Sequence, residues 1–360
     1  MAERSGAAGL RKRIPALDGL RAVAISLVLL AHLRATPGFP AWLDAPRFYG
    51  GLGIELSFVI SGFLITSKLM GEEERSGRIG LGAFYRRRAL RILPAALAYL
   101  AAVALLGAAG LSVVPLGDIV AALTFCRNLF GDSFLTGHFW TLSVEEQFYL
   151  VWPVVFSVVP AGRRLRVALA LFALAPLWRT FNLYVLHPPH GLNLGRADLH
   201  YDTIVAGILL ALARRHPRGD AAQAWATDHG AALLAGAMAG LLMLQVLVPR
   251  DWWLTMSARD LLIAAIVLSV VAGPGHVARA LLESRPLRWV GRISYSLYLW
   301  QQLFTYWWKI GDQWFGRFPA NLAGALLVSA ASYYLIERPI LAWRDRAVGE
   351  AAYGPNCIPS

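Results

Sequence analysis

Arg21 and His32 stand eleven positions apart in the run RIPALDGLRAVAISLVLLAHLRA, which is otherwise almost wholly apolar. Eleven residues make close to three turns of α-helix, so a helix here puts both side chains on one face, about 16 Å apart along its axis. An ionisable group in a membrane-spanning helix costs about 2.5–3.5 kcal/mol on insertion scales, so the pair is expected to face protein or a wet cavity. Imidazole titrates near neutral pH, which suits His32 to general-base work. Asp18, three residues before Arg21, is spaced to hold its guanidinium. Helix packing is the plainer alternative, with Arg21 on a lipid phosphate and His32 on a neighbouring carbonyl.

Three further stretches carry reactive or charged side chains. In GGLGIELSFVISGFLIT, residues 50–66, Glu55, Ser57 and Ser61 fall on or near one helical face. An intramembrane carboxylate needs a partner, and Arg21 and His32 are candidates; a packing face of small residues is the simpler reading. In FYRRRALRILPA, residues 84–95, Arg86, Arg87, Arg88 and Arg91 sit where a span begins on the cytoplasmic side. Guanidinium forks bind phosphate oxygens bidentately and a helix start adds backbone donors, so the run suits a nucleotide-bearing donor from the cytosol. Anchoring at the inner leaflet would use the same residues. In GHFWTLSVEEQFYLVWP, residues 137–153, Glu145 and Glu146 open a span, with His138, Trp140, Ser143 and Tyr149 within two turns. One of these carboxylates can orient or charge-pair a catalytic imidazole.

Weaker signals follow. RADLHYDTIVAGILLALARR, residues 196–215, puts Arg196, Asp198, His200 and Asp202 at the outer mouth of a span. A polar rim meeting a hydroxylated acceptor is preferred there to a metal site, since no further ligand is specified. VGRISYSLYLWQ, residues 290–301, mixes Ser294, Tyr295, Ser296, Tyr298, Trp300 and Gln301 into another, as an aromatic belt or a sugar-stacking wall. Glu337-Arg338-Pro339 reads as a structural stop. Cys126 and Cys357 match no metal or redox spacing. The terminal Cys-Ile-Pro-Ser has the outline of a prenylation box, discounted because of Pro359 and the polytopic context. No metal is expected.

Membrane helices have to position these groups. Of 360 residues, 57% are hydrophobic and 16% charged, with mean hydropathy +0.51, which excludes an ordinary soluble domain. The net charge of +12 is spread between apolar spans instead of along one soluble face, which favours an anionic leaflet over nucleic acid. The N-terminus starts like a signal peptide, but Arg21 interrupts the apolar run and no small-x-small site follows His32, so a retained first span is expected. Ten segments can cross a bilayer: about 17–35, 49–70, 89–111, 139–160, 166–186, 201–215, 230–248, 258–273, 291–310 and 319–338. The stretch 115–130, broken by Asp118 and Arg127, is expected to be a short helix or re-entrant piece outside. With the N-terminus inside, 24 of the 34 lysines and arginines fall on inner segments, and the bias holds on both sides of 115–130. The expectation is an all-α integral membrane bundle of about ten helices with both termini cytoplasmic. One domain would cover 1–346, with a short flexible tail at 347–360.

Together LDGLRAVAISLVLLAH, GIELSFVISGFLIT, FYRRRALRILPA, FWTLSVEEQFYL, ISYSLYLWQ and IERP resemble the acyltransferase-3 family of integral membrane O-acyltransferases. They run in family order from about residue 14 to 346. The resemblance implies ten spans and acyl transfer from a cytosolic donor, usually acetyl-CoA, to an acceptor. Family acceptors include surface polysaccharides, peptidoglycan, lipid-linked sugars, macrolide antibiotics and nodulation factors. The family's Arg/His pair corresponds to Arg21 and His32, its arginine motif to Arg87, Arg88 and Arg91, and its carboxylate after the tryptophan to Glu145. Glu55 stands where the family often has Asp, and Ser57 where it often has Phe. Some relatives carry a fused esterase-like domain after the last span; none is expected here. The implied chemistry has acyl-CoA phosphates on Arg87, Arg88 and Arg91, while His32, tuned by Glu145 or Glu55, takes the acceptor hydroxyl proton. Arg21 holds donor phosphate or developing negative charge, and Glu55, His138, Trp140, Tyr149 and Asp202 meet the acceptor. A multi-pass protein of the bacterial cell membrane is implied, with the oligomeric state open. A transporter or flippase lined by the same charges is the rival reading, and a non-catalytic assembly subunit a third.

Overall fold

A computed structural model describes residues 14–43, 49–186, 196–216, 219–248, 253–272, 277–305 and 313–353. Among these residues the chain is helical and has no strand. The helices are α1 (Pro15–Leu33), α2 (Tyr49–Ser76), α3 (Leu81–Ala108), α4 (Leu116–Leu123), α5 (Phe134–Gly137), α6 (Phe139–Val158), α7 (Ala161–Phe181), α8 (Ala197–Ala213), α9 (Gly219–Asp228), α10 (Gly230–Leu247), α11 (Trp253–Ala272), α12 (Val277–Leu282), α13 (Arg285–Phe304), α14 (Ala320–Ser332) and α15 (Arg338–Tyr353). Local chemistry sets several ends. Pro15 opens α1, where its missing N–H costs nothing. Gly77, at φ +69°, ends α2 and donates its N–H to the Glu73 carbonyl.

Each of the ten apolar segments lies within or overlaps a helix. Seven helical stretches among the described residues are long and apolar enough to cross a membrane: Pro15–Leu33, Gly50–Ser76, Leu81–Ala108, Ala161–Leu186, Gly230–Leu247, Thr255–Ala272 and Ala320–Arg346. The chain is a multi-pass membrane protein. The other three expected spans fall on α6, α8 and α13. α6 carries Glu145 and Glu146, α8 has only 17 residues, and α13 carries Arg285, Arg288 and Arg292. Within 115–130 the only described helix is α4, whose eight residues cover about 12 Å, too short to cross. α15 runs to Tyr353, while 354–360, with Cys357 and the rest of the expected tail, lie outside the described residues.

The chain divides into two compact units built of alternating segments. The first comprises Met1–Leu27, Gly51–Ile79 and Val144–Arg292; the second comprises Val28–Gly50, Gly80–Ser143 and Ile293–Ser360. In the first unit α8 packs against α7 and α11. α2 meets α8 backbone to backbone at a reciprocal pair of glycines. A Cβ on Gly62 would stand 2.0 Å from the Ile204 carbonyl oxygen, and one on Gly207 would stand 2.0 Å from that of Val59. Small residues allow such approach between membrane helices, where packing replaces the hydrophobic effect as the driving force. The start of α13 reaches α1 in the same way, since a Cβ on Gly291 would lie 1.8 Å from the Asp18 carbonyl oxygen.

The second unit has its own core. Tyr99, Leu100 and Val103 of α3 pack with Leu135, Phe139, Leu142 and Leu299, all at most 5% exposed. Polar links fix α13 to this core. Tyr295 Oη donates to the Ile92 carbonyl at 2.8 Å, and Gln302 Nε2 donates to the Phe134 carbonyl at 2.7 Å. Between α4 and α5 the chain folds around Arg127, which is buried. Its guanidinium donates to the carbonyls of Phe130, Gly131 and Ser133 and to Thr136 Oγ1. That arginine is spent on loop carbonyls, which explains why it sits in an otherwise apolar stretch.

Candidate functional site

His32 is carried into the second unit by α1, and its hydrogen-bond partner is Gln301 of α13. The His32 Nδ1 lies 2.9 Å from Gln301 Oε1. A chain of amides fixes the polarity of this bond. The Phe134 carbonyl can only accept, so Gln302 turns its Nε2 toward it. Gln302 Oε1 then faces Gln301, whose Nε2 donates to it at 3.5 Å. Gln301 is thereby left with Oε1 toward the ring, and His32 Nδ1 must carry the proton. The consequence is chemical: Nε2 keeps its lone pair, the form in which an imidazole accepts a proton. Both glutamines are buried, at 0% and 3% exposed, so water does not compete for these bonds.

The Gln301→Leu variant tests this orientation. It should remove the acceptor and let the ring choose either tautomer, with kcat of a reaction that uses Nε2 as base falling about tenfold, equivalent to ~1.4 kcal/mol in the barrier. Steady-state turnover of the purified variant is the measurement, and unchanged kcat would show that the amide chain does not set the reactive form.

The second unit also holds other expected residues. His138 is buried against Tyr99, Phe139 and Tyr298, while Trp140 is partly exposed. Arg87, Arg88 and Arg91 are on the first turns of α3 and are partly buried. Arg91 is close enough to Glu337 for their charges to interact, and Ser296 donates its hydroxyl to the Glu337 carboxylate. Glu337, expected only as part of a stop, is therefore buried and tied to α13. From Arg91 to Tyr99 is about 12 Å along α3, and from Ser296 to Gln301 about 7.5 Å along α13. The same two helices thus carry both the arginine end and the imidazole end.

The first unit holds the remaining charges. Arg21 meets Asp18 at 4.0 Å, the pairing their spacing suggests. Ser61 donates to Glu145 Oε1 at 2.7 Å, and Arg259 donates to Glu55 Oε2 at 2.8 Å. Tyr149 is buried. Asp202 is fully buried and bound by both guanidinium nitrogens of Arg179, at 2.9 and 2.7 Å, with Ser257 Oγ donating to it at 2.7 Å. Asp198 is taken up by Arg196 and by the Trp178 indole N–H. Among the described residues no group of three His, Cys, Asp or Glu is placed to hold a metal. Reasoning from sequence missed Gln301 and Gln302 as the setting of His32, Arg259 as partner of Glu55, and Arg179 as partner of Asp202. These pairs are 269, 204 and 23 residues apart and each joins two different helices, and only the polar mixture of the ninth segment signalled the first of them.

Comparison with known proteins adds a second line. The family model described as an acyltransferase domain matches residues 14–337. A putative peptidoglycan O-acetyltransferase, YrhL of Bacillus subtilis, is 30% identical over 91% of this chain and 55% of its own length. The O-acetyltransferase OatA of Staphylococcus aureus is 27% identical over 80% of this chain and 50% of its own. The peptidoglycan O-acetyltransferase OatA of Listeria monocytogenes is 27% identical over 92% and 56%. The chain spans about half the length of these relatives. No solved structure matches it. A family match that begins before the first helix and ends in the helical stretch that joins α14 to α15 takes in every candidate site residue, and the chain belongs to the acyltransferase-3 family.

Proposed function

We propose that this chain is a membrane O-acyltransferase that moves an acetyl group from acetyl-CoA, entering from the cytosol, to a hydroxyl of a saccharide acceptor. The observation that carries this reading is the amide chain from Phe134 through Gln302 and Gln301, which leaves His32 Nε2 with its lone pair. The family membership and the names of the relatives support the acetyl group and the saccharide. The distribution of basic residues supports ten spans with both termini cytoplasmic, and α4, too short to cross, supports the same count. On this reading the start of α3, with Arg87, Arg88 and Arg91, faces the inner side of the bacterial cell membrane.

In this scheme the CoA phosphates lie on the three arginines and the thioester arm runs outward along α3 and α13. The acceptor oxygen attacks the thioester carbonyl carbon while His32 Nε2 takes its proton. The C–S bond then breaks, and the departing thiolate recovers that proton from His32. Arg21 and Glu145 supply charge to donor or acceptor, and Glu55, Trp140, Tyr149 and Asp202 are retained as acceptor-binding candidates. The full chain in detergent, given acetyl-CoA and a saccharide acceptor, should release CoA thiol in step with acetylated product. Movement of a lipid-linked glycan in vesicles with no thiol release would instead establish the transporter reading.

The arginine assignment makes a separate demand. Arg87→Ala and Arg88→Ala should each raise KM for acetyl-CoA about tenfold or more, since a hydrogen bond to a charged group is worth about 1.5–3 kcal/mol. Their kcat should stay near that of the parent, because phosphate contacts are made equally in ground and transition states. Equal KM values for the three proteins would mean that these arginines only anchor the helix.

A further inference from the structure

His138 is 4% exposed, and neither of its ring nitrogens has a hydrogen-bond partner among the described residues. A neutral imidazole has one N–H donor and one acceptor nitrogen, and burying both unbonded is costly. Its neighbours cannot serve. The rings of Phe139, Tyr99 and Tyr298 surround it at 5.0, 5.1 and 5.5 Å between centroids. Both hydroxyls among them are committed elsewhere. Tyr99 Oη donates to the Leu135 carbonyl at 2.6 Å, and Tyr298 Oη donates to the backbone carbonyl of His138 at 2.8 Å. A phenylalanine would fill this space at no polar cost, so the nitrogens call for a partner beyond the described residues.

A second orphan lies in the same cluster. The indole of Trp300 packs edge-on against Tyr99 at 5.5 Å, and its buried Nε1–H also has no acceptor among the described residues. Trp300 precedes Gln301, the residue that orients His32, and Gln302 donates to the carbonyl of Phe134, four residues before His138. Two unused N–H donors on one aromatic cluster, joined in sequence to the amides that orient the base, match the needs of an acyl group whose carbonyl oxygen gains charge.

We propose that His138 and Trp300 donate their ring N–H groups to the carbonyl oxygen of the transferred acyl group, forming the oxyanion site of the reaction. The inference rests on the acyl-transfer reading above. As the acceptor oxygen bonds to the carbonyl carbon and gives its proton to His32, the C=O electron pair moves onto that oxygen. The two N–H groups hold the resulting oxyanion. When the pair returns and the C–S bond breaks, the thiolate leaves with the proton from His32. Donors fixed in a water-excluded site need no reorganisation as the charge develops, which is why they favour the transition state.

The test is His138→Phe, which keeps the ring and removes both nitrogens. The expected result is kcat lower by about 10²–10³-fold, the usual effect of losing one oxyanion donor. KM for acetyl-CoA should change less than about threefold, and the apparent Tm should hold or rise because two unbonded buried atoms are gone. Turnover within about threefold of the parent would overturn the proposal, because a merely structural histidine moves Tm and not kcat. If the variant does not fold, Trp300→Phe serves, with a tenfold or greater loss of kcat expected and an unchanged kcat against it. A parent protein that releases no thiol from acetyl-CoA defeats the acyl-transfer reading itself. An active parent beside an equally active His138→Phe defeats only the oxyanion assignment.

Discussion

Replacing His32 with alanine is expected to lower acetyl transfer by about 10²–10⁴-fold, the contribution of a positioned general base. Gln301 Oε1 accepts the hydrogen bond from Nδ1–H, so the one function left to the ring is at Nε2. Alanine removes that nitrogen without disturbing the amide chain, because Gln302 stays tied to the Phe134 carbonyl. The variant should therefore insert, extract and elute as the parent does. The measurement is CoA thiol release by the purified protein, with mass spectrometry of the acceptor. Turnover within about threefold of the parent would remove His32 as the base. If an acyl-histidine forms instead, single-turnover experiments on the parent will show a burst of thiol ahead of product. The loss should exceed that of Gln301→Leu by at least tenfold, since one deletes the base and the other only disturbs its tautomer.

Much of the fold was legible because membrane helices obey a simple rule: about 20 apolar residues, period 3.6, with positive charge on the inner side. All ten segments picked out by that rule lie within or overlap a helix, and Arg21 and Asp18 pair as their spacing suggested. The rule is weakest where helices carry function. α6 and α13 lose apolarity to the glutamates and arginines that make them interesting, and α8 is a turn shorter than a span requires. The residue types of the site were readable, but not their pairings. His32 could have met a carboxylate, and Glu55 could have met Arg21 or His32. Instead they meet Gln301 and Arg259, 269 and 204 residues away. Helical periodicity says which side chains share a face and nothing about which face of another helix lies opposite. Asp202 shows the same limit. Its place near a helix start suggested a rim, yet the side chain is wholly enclosed.

That enclosure gives the other large expected effect. Arg179→Leu should destabilise the protein by about 3–5 kcal/mol, the cost of stripping one partner from a buried ion pair. Both side chains are 0% exposed, and Asp202 would keep only the Ser257 hydroxyl as a side-chain donor among the bonds described here. Ser257 also receives a bond from Arg179 at 2.6 Å, so the loss would spread along α11. Replacing both charges is a different matter. Arg179→Met with Asp202→Leu removes the desolvation cost together with the attraction, and such exchanges are often neutral or stabilising. The double variant should recover most of the stability that the single one loses. Apparent Tm in detergent and the monodisperse fraction on gel filtration measure both. The same pair of proteins decides what Asp202 is for. If it binds the acceptor, the double variant will be folded and inactive. If it is a structural member of the α7–α8–α11 packing, as its complete burial favours, the double variant will be folded and will still acetylate. An Arg179→Leu protein as stable as the parent would mean that Asp202 finds another cation or is protonated, and that the pair contributes little to holding these helices together.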